Sequence, residues 1–350
     1  MENGSTNLQI HRDIGNIGFL FLNDVPYVPI ANLCHLCHDV FTKIMKETIL
    51  IAGGTGLIGQ RLSQILKQIG YNVLHLSRKA NLNAEYPAYF WNPATNEIDE
   101  TAITKADYII QLAGAGIADG LWTKSRKKLI IDSRVQSNEL IANTLRQYPH
   151  QVKAYIAASA IGFYGNRVAD EQLDEESGAG SGFLTESTVA WERAIESVTQ
   201  KYQNERVRGV MIRVGIVLSM QGGALPKMMI PFWVRLGNWF GDGQQVMSWI
   251  HIDDICQMFI KAIQDTQMSG IYNGVAPKPV NNKMFIKAIG QAKGGWHLYM
   301  PVPSFLLRLG LGEMADVVLN GSNVSSQKIE NQRFTFQYKT IESALKHLLQ

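Results

Sequence analysis

Short apolar runs and helical repeats alternate along most of the chain. Thr48-Ile49-Leu50-Ile51-Ala52 carries no charge, as a strand buried on both faces requires. Leu62, Ile65, Leu66 and Ile69 then recur at helical spacing, and Gly70 closes that helix. Tyr71–Leu76 reads as a second strand. Residues 106–112 form another, running into the small-residue turn Ala113-Gly114, and Val152–Ala160 the next. A helix opens at Trp122 and continues through Ile130, Ile131, Val135, Leu140 and Ile141, and residues 182–192 again have helical character. Strands alternating with helices predict an α/β fold around a doubly wound parallel sheet.

Beyond Ser219 the pattern changes. Gln221–Pro226 is a loop by composition. Lys227–Phe240 is rich in Met, Trp and Phe, either as core or as the wall of a ligand site. Asp242-Gly243 signals a turn. A strand is expected over 246–252, helices over 255–264 and 281–292, a break at Pro301-Val302-Pro303 and a last helix over 340–349. This divides the chain into a nucleotide-binding domain over 45–218, to which 246–265 returns, a smaller substrate lobe over 219–300 and a terminal module over 301–350. Residues 1–44 hold no lasting period, and the folded enzyme is expected to begin at Met45. The preceding stretch is read as a flexible extension or an upstream start-site artefact.

Composition narrows the classes. The 350 residues are 46% apolar and 18% charged, which excludes intrinsic disorder, collagen and disulfide scaffolds. The 33 basic and 30 acidic residues leave a net charge of +3, too even to argue for nucleic acid. No window reaches about 18 uncharged apolar residues, so no membrane partner is expected. Three cysteines, Cys34, Cys37 and Cys256, and the lack of a signal-peptide pattern fit a reducing, cytoplasmic setting. Cys34-His35-Leu36-Cys37-His38 matches the haem c attachment pattern and offers zinc-type ligands. Without an export signal it reads as coincidence, and no metal is expected.

The candidate chemistry begins after the first strand. Gly53-Gly54-Thr55-Gly56-Leu57-Ile58-Gly59 sits between that strand and the first helix, the context a dinucleotide fingerprint needs. Gly53 permits the tight turn, Gly56 lets amides approach a diphosphate, and Gly59 allows close helix–strand packing. Thr55, Leu57 and Ile58 complete the loop as candidate contacts, and the helix N-terminus faces the phosphates. The second strand ends Ser77-Arg78-Lys79, and the nearest acid downstream is Glu85. An acid there would hold ribose hydroxyls. Arg78, aided by Ser77, pairs instead with a 2′-phosphate, so NADP(H) is the expected cofactor. The competing reading makes Arg78 and Lys79 a solvated loop. Leu112, Ala113 and Gly114 are small enough at a strand end for a cofactor to lie across them. Ser159 stands at the carboxyl end of the 152–160 strand.

The three-and-three glycine spacing resembles the extended branch of the short-chain dehydrogenase/reductase superfamily. In that branch the Leu112–Gly114 turn lies beside the adenosine-side ribose and diphosphate. The serine at Ser159 donates a hydrogen bond to the substrate oxygen beside the nicotinamide. The usual Tyr-x-x-x-Lys pair is missing: no tyrosine occurs between Tyr164 and Tyr202, and no lysine between Lys153 and Lys201. That absence, with Ser133-Arg134-Val135, Ser159–Gly165, Phe183-Leu184, Trp191-Glu192, Arg213–Leu218, Trp249–Asp254 and Gly312-Glu313-Met314, resembles an atypical group, the YfcH-type epimerase family proteins. Gly114-Ala115-Gly116 departs from that group's Gly-Glu-Pro. The resemblance implies an extended Rossmann fold, NADP binding and a family-specific terminal module.

Two residues remain for acid–base work. Tyr164 is the nearest phenol, and Glu186, on the helix that normally carries the pair, can act if burial raises its pKa. Hydride transfer without a protein acid is the third route. His251 is read as a structural link between lobes. The expectation is an NADP(H)-binding oxidoreductase or epimerase-like enzyme, monomeric or homodimeric, acting on a small molecule. The alternative is a low-turnover NADP(H)-sensing regulatory or interaction protein, as its cell-division-associated relatives imply.

Overall fold

A computed structural model describes residues 47–167, 171–199 and 207–350. The extension expected over 1–44 and its Cys34–His38 motif lie outside the described residues. The first apolar run forms β1 (Thr48–Ala52), and its Ile49, Leu50 and Ile51 are fully buried. The glycine turn feeds α1 (Leu57–Gln68), whose Leu62, Ile65 and Leu66 form the buried stripe read from the spacing. The chain returns in β2 (Asn72–Ser77), then β3 (Ala88–Asn92) and the short β4 (Glu97–Ile98). After β5 (Tyr108–Gln111) comes the long α2 (Lys124–Gln147), capped by the Thr123 hydroxyl accepting from the Arg126 amide. Then follow β6 (Ala154–Ala160), α3 (Phe183–Thr199), β7 (Arg208–Val214) and α4 (Ile252–Gln264).

The main sheet runs β8-β7-β6-β5-β1-β2-β3-β4, where β8 is Gly270–Gly274. Every neighbouring pair is parallel except β3 with β4. The chain order reverses between β1 and β5, so a crevice opens at the carboxyl ends of those two strands. This is an α/β Rossmann sheet. The sequence pattern returns 246–265 to this half, but β8 joins the same sheet, so the returning segment extends through Gly274. Its Gly-Ile-Tyr-Asn-Gly run is too short and too glycine-rich to announce a strand.

A second core holds the smaller lobe. Leu218, Phe232, Trp249, Phe285, Ile289, Ile341 and Leu345 are buried in it. It takes in α5 (Asn282–Lys293) and, after the exposed α6 (Ser304–Leu311), the final α7 (Ile341–Leu349). A parallel ladder joins Leu236–Phe240 to Leu298–Val302. The Lys227–Phe240 stretch divides: Phe232 is core, whereas Ile230, Trp233 and Val234 are exposed. The terminal segment is stitched into both halves. Asn323–Val324 pairs with Gln172–Leu173, and the Asp254 carboxylate accepts from the Gln337 and Tyr338 amides at 2.8 and 3.0 Å.

Candidate dinucleotide and catalytic site

The glycine turn is shaped by close approach. Gly53 has φ +86°, and a Cβ there would stand 2.9 Å from Ala113 N and from Leu112 C. The Gly53 turn and the Leu112–Gly114 turn, about 60 residues apart in sequence, therefore press backbone against backbone. A Cβ on Gly59 would lie 2.3 Å from Gly53 O, so the helix cannot leave the strand this tightly with any side chain there. Gly56 is the N-cap of α1, no side chain caps that end, and no acid occupies its first turn. The first amides of α1 are left to an anion. Thr55 and Gly56 are exposed, and Leu57 and Ile58 half-buried.

Three residues to which the sequence assigns no role fix this cradle. His75 of β2 lies behind Gly54, where a Cβ would strike its ring at 2.4 Å. Its Nε2 is 2.8 Å from Ser63 Oγ, which donates to Gly59 O. Burial pushes this imidazole down to about 4, so it is neutral under the loop. Gln111 is fully buried, and its Oε1 accepts from the Ala113 amide at 2.9 Å. Arg134 of α2 lies under Gly114, where a Cβ would touch its guanidinium at 3.2 Å. It donates to Ala115 O and Ile130 O, and its guanidinium carbon lies 4.8 Å from the centre of the Trp191 ring. No acidic partner pairs with it among the described residues. Burial, then the Arg126 charge, push it down to about 10. A buried cation with no acidic partner among the described residues, under the turn whose Leu112 and Ala113 meet Gly53, fits a diphosphate. The donor set and the glycine cradle thus suit a dinucleotide.

Ser77 is half-buried and accepts from the Lys79 amide at 3.1 Å. Arg78 is exposed and forms no hydrogen bond or ion pair among the described residues. It has the freedom a ligand-binding guanidinium needs, which a solvated loop has too.

Register places the second part of the site on the same edge. Ala52, Gln111, Ala157 and Met211 stand level across β1, β5, β6 and β7. Ser159 lies two residues farther out, opposite Arg213. Its Oγ donates to Glu192 Oε1 at 2.6 Å. Glu192 also receives Arg213 Nε and Nη2, each at 2.9 Å, in a fork-on-fork pair. Arg213 Nη1 donates to the Tyr164 hydroxyl at 3.0 Å, and that hydroxyl donates to Asn273 Oδ1 at 2.8 Å. The Asn273 amide donates to Glu175. All these side chains except Glu175 are buried.

The network takes up Tyr164, and Glu186 lies outside it. Tyr164 is wholly buried, and burial pushes its phenol above the ordinary value, partly offset by Arg213. With both sides of its hydroxyl engaged, it is a structural strut. Glu186 lies exposed in the first turn of α3, without the apolar wall a buried carboxylate acid requires. Six residues on, Glu192 is the acid of α3 that faces the sheet edge. Trp191-Glu192 carried the resemblance without a role, because a lone carboxylate on a helix gives no sign that Arg213, 21 residues away, will meet it.

His251 joins the halves as expected. It caps α4, with Nδ1 accepting from the Asp253 amide at 3.0 Å. Its ring stacks on Tyr338 at 3.8 Å, and Nε2 meets His347 Nδ1 at 3.1 Å. His251, Asp253 and His347 have ligand atoms within 4.8 Å of one another. Yet Nδ1 is an acceptor, so the neutral ring carries its proton on Nε2 and gives it to His347. Arg61 holds Asp253 at 2.6 Å. In this arrangement His251 has no ring lone pair left over, and Asp253 is shared with Arg61.

The chain matches the NAD dependent epimerase/dehydratase family over residues 49–273 and a domain of unknown function, DUF1731, over 302–348. An epimerase family protein of Mycobacterium leprae is 35% identical over 303 residues, covering 86% of this chain and 95% of its own. The YfhF epimerase family protein of Bacillus subtilis is 32% identical, covering 86% and 97%. The crystal structure of human epimerase family protein SDR39U1, isoform 2, with NADPH has TM-score 0.77 and 28% identity, covering 86% of this chain and 99% of that one. A UDP-glucuronic acid 4-epimerase from Bacillus cereus, at 14% identity and TM-score 0.69, shares the fold. The glycine cradle, the strand order and the terminal segment agree with these matches: the chain belongs to the NAD-dependent epimerase/dehydratase family, in the epimerase-family branch that carries the DUF1731 module.

Proposed function

We propose that the chain is an NADP(H)-dependent oxidoreductase or epimerase-like enzyme acting on a small molecule. The observation that carries this reading is Arg78, exposed at the end of β2 with no acid beside it, on the strand next to the glycine cradle. A guanidinium there attracts a 2′-phosphate that an acid would repel. The human relative crystallised with NADPH supports it. The Gly53–Gly59 amides and the α1 N-terminus hold the diphosphate, and Arg134 supplies the nearby positive charge. Bound cofactor supplies or accepts a hydride. Ser159, whose hydrogen is held by Glu192, offers only lone pairs, and so it receives a hydrogen bond from a substrate hydroxyl or amide.

The test is binding. NADPH raises the melting temperature, NADH raises it less, and Arg78→Glu abolishes the difference. No stabilisation by either nucleotide removes the proposal. A second reading, a low-turnover NADP(H) sensor, is favoured by the absence of an open acid–base side chain around Ser159 among the described residues. Sustained NADPH oxidation with any carbonyl compound argues against it.

A further inference from the structure

Helix α6 belongs to a segment that buries almost nothing. From Pro303 to Leu319 only Ala315 is buried. Gly312, at φ +57°, ends α6 and turns the chain into Gly312–Ala315 and Asp316–Leu319. Elements with so few buried apolar contacts open at low cost. Both ends of the segment are fixed. At the first, the Gly241 amide donates to Val302 O at 2.9 Å, in the smaller lobe. At the second, Gln245 Nε2 donates to Val318 O at 2.9 Å. A Cβ on Gly321 would stand 2.2 Å from Val246 O, so the backbones touch there. Ser322 Oγ then donates to Gly165 O at 2.5 Å, on the turn that follows β6 and Ser159.

Between these ends the segment reaches the nucleotide-binding half. Glu313 pairs with Lys127, whose ammonium lies 5.0 Å from the centre of the Phe183 ring. Phe183 packs edge-on against Trp122 at 4.8 Å. Lys127 and Phe183 stand in the first turns of α2 and α3. Crossover helices of a parallel sheet set out from the carboxyl ends of its strands, the edge that holds Ser159, the Leu112–Gly114 turn and the crevice. Lys127 is two helical turns, about 10 Å, along α2 from Arg134. The segment therefore passes from the smaller lobe, by way of the first turn of α2, to the turn beyond Ser159. The Lys127 and Glu313 side chains are 28% and 66% exposed, and a pair this open shifts an equilibrium by no more than about fivefold. We propose that Pro303–Leu319 is a lid over the crevice and that Lys127–Glu313 is its latch. The lid rests on the reading of that crevice as the dinucleotide site. Latched, it slows the escape of bound nucleotide; unlatched, it swings between its two fixed ends.

Hydrogen–deuterium exchange of the full chain, with and without NADPH, tests it. In the free protein the amides of 305–319 exchange faster than those of α2. Glu313→Gln and Lys127→Gln each speed them about two- to fivefold. The double variant is no faster than either single one, since all three remove the same pair. The pair is open to solvent, so Glu313→Gln leaves the melting temperature unchanged and a folding defect is distinguished. NADPH slows exchange over 305–319, and stopped-flow release of NADPH is faster in Glu313→Gln by about the same factor. Exchange over 305–319 as slow as in α2, or indifferent to both variants, overturns the proposal. So does NADPH that binds but leaves this exchange unchanged and departs equally fast from Glu313→Gln, because the segment is then a loose edge and covers nothing. NADPH that fails to bind, with the exchange of the three variants as expected, overturns the dinucleotide reading and supports the latch.

Discussion

Ser159 gives its one hydroxyl hydrogen to Glu192, across 2.6 Å in a buried site. Arg213 in turn holds that carboxylate by two bonds. The serine at the sheet edge is therefore fixed as an acceptor, and the helix that would carry a phenol and an ammonium carries a salt-bridged acid.

Glu192→Gln leaves Arg213 as an uncompensated buried charge. Removing one partner of a buried pair costs about 3–5 kcal/mol. Ser159→Ala keeps the pair and loses one bond to a charged group, about 1.5–3 kcal/mol. Urea unfolding should rank Glu192→Gln as clearly the less stable. Equal midpoints would mean the pair is not closed.

Arg134→Met acts on fold and ligand to different degrees. The free protein sheds a buried cation that has no described acidic partner but also loses its bonds to the Ala115 and Ile130 carbonyls, so it is destabilised by no more than about 3 kcal/mol. Stabilisation by NADPH falls sharply. An unchanged nucleotide shift, measured by thermal melting, would remove Arg134 from the diphosphate site.

Gly59→Ala drives a methyl group into Gly53 O, 2.3 Å from the built Cβ position. The turn must open, and both NADPH and NADH binding are lost together. Arg78→Glu loses NADPH selectively. Fluorescence titration with the two nucleotides separates these outcomes.

Acid should destabilise the fold. Burial holds His75 and His251 each at about 4, whereas an unfolded imidazole titrates near 6.5. Between those values the unfolded chain binds more protons. Stability from both is full above about pH 6.5 and is lost as pH falls toward 4. Asp254, lifted by burial to about 6, opposes this with the reverse sign. Each shift is worth about 3 kcal/mol, so two imidazoles against one carboxyl leave a net loss of roughly 3 kcal/mol. Denaturant midpoints at pH 7 and 4.5 measure it, and His75→Phe flattens the slope. A midpoint that rises on acidification contradicts the assignment.

The cradle was legible because its signal is local. A strand, a glycine turn and a helix follow one another within about 20 residues, and each leaves a pattern of fixed period. The residues that stiffen it were not. Gln111, Arg134 and His75 read as ordinary strand and helix positions until the sheet brings three segments together. Glu192 and Arg213 meet only through the register of β6 with β7. Nearness in sequence to Ser159 suggests Tyr164, and a place on the helix that normally carries the missing pair suggests Glu186; the fold turns one inward and leaves the other in water. Chemistry assembled by tertiary contact leaves no periodicity to read.

Ile341 and Leu345 close the smaller lobe's core, and residues 337–338 are tied to Asp254 of a helix laid down some eighty positions earlier. During synthesis that carboxylate must wait for its amide partners until these late residues clear the ribosome. Truncation before residue 337 should therefore be as damaging as an early lesion, because it removes Ile341 and Leu345 from the second core and both amide donors from Asp254.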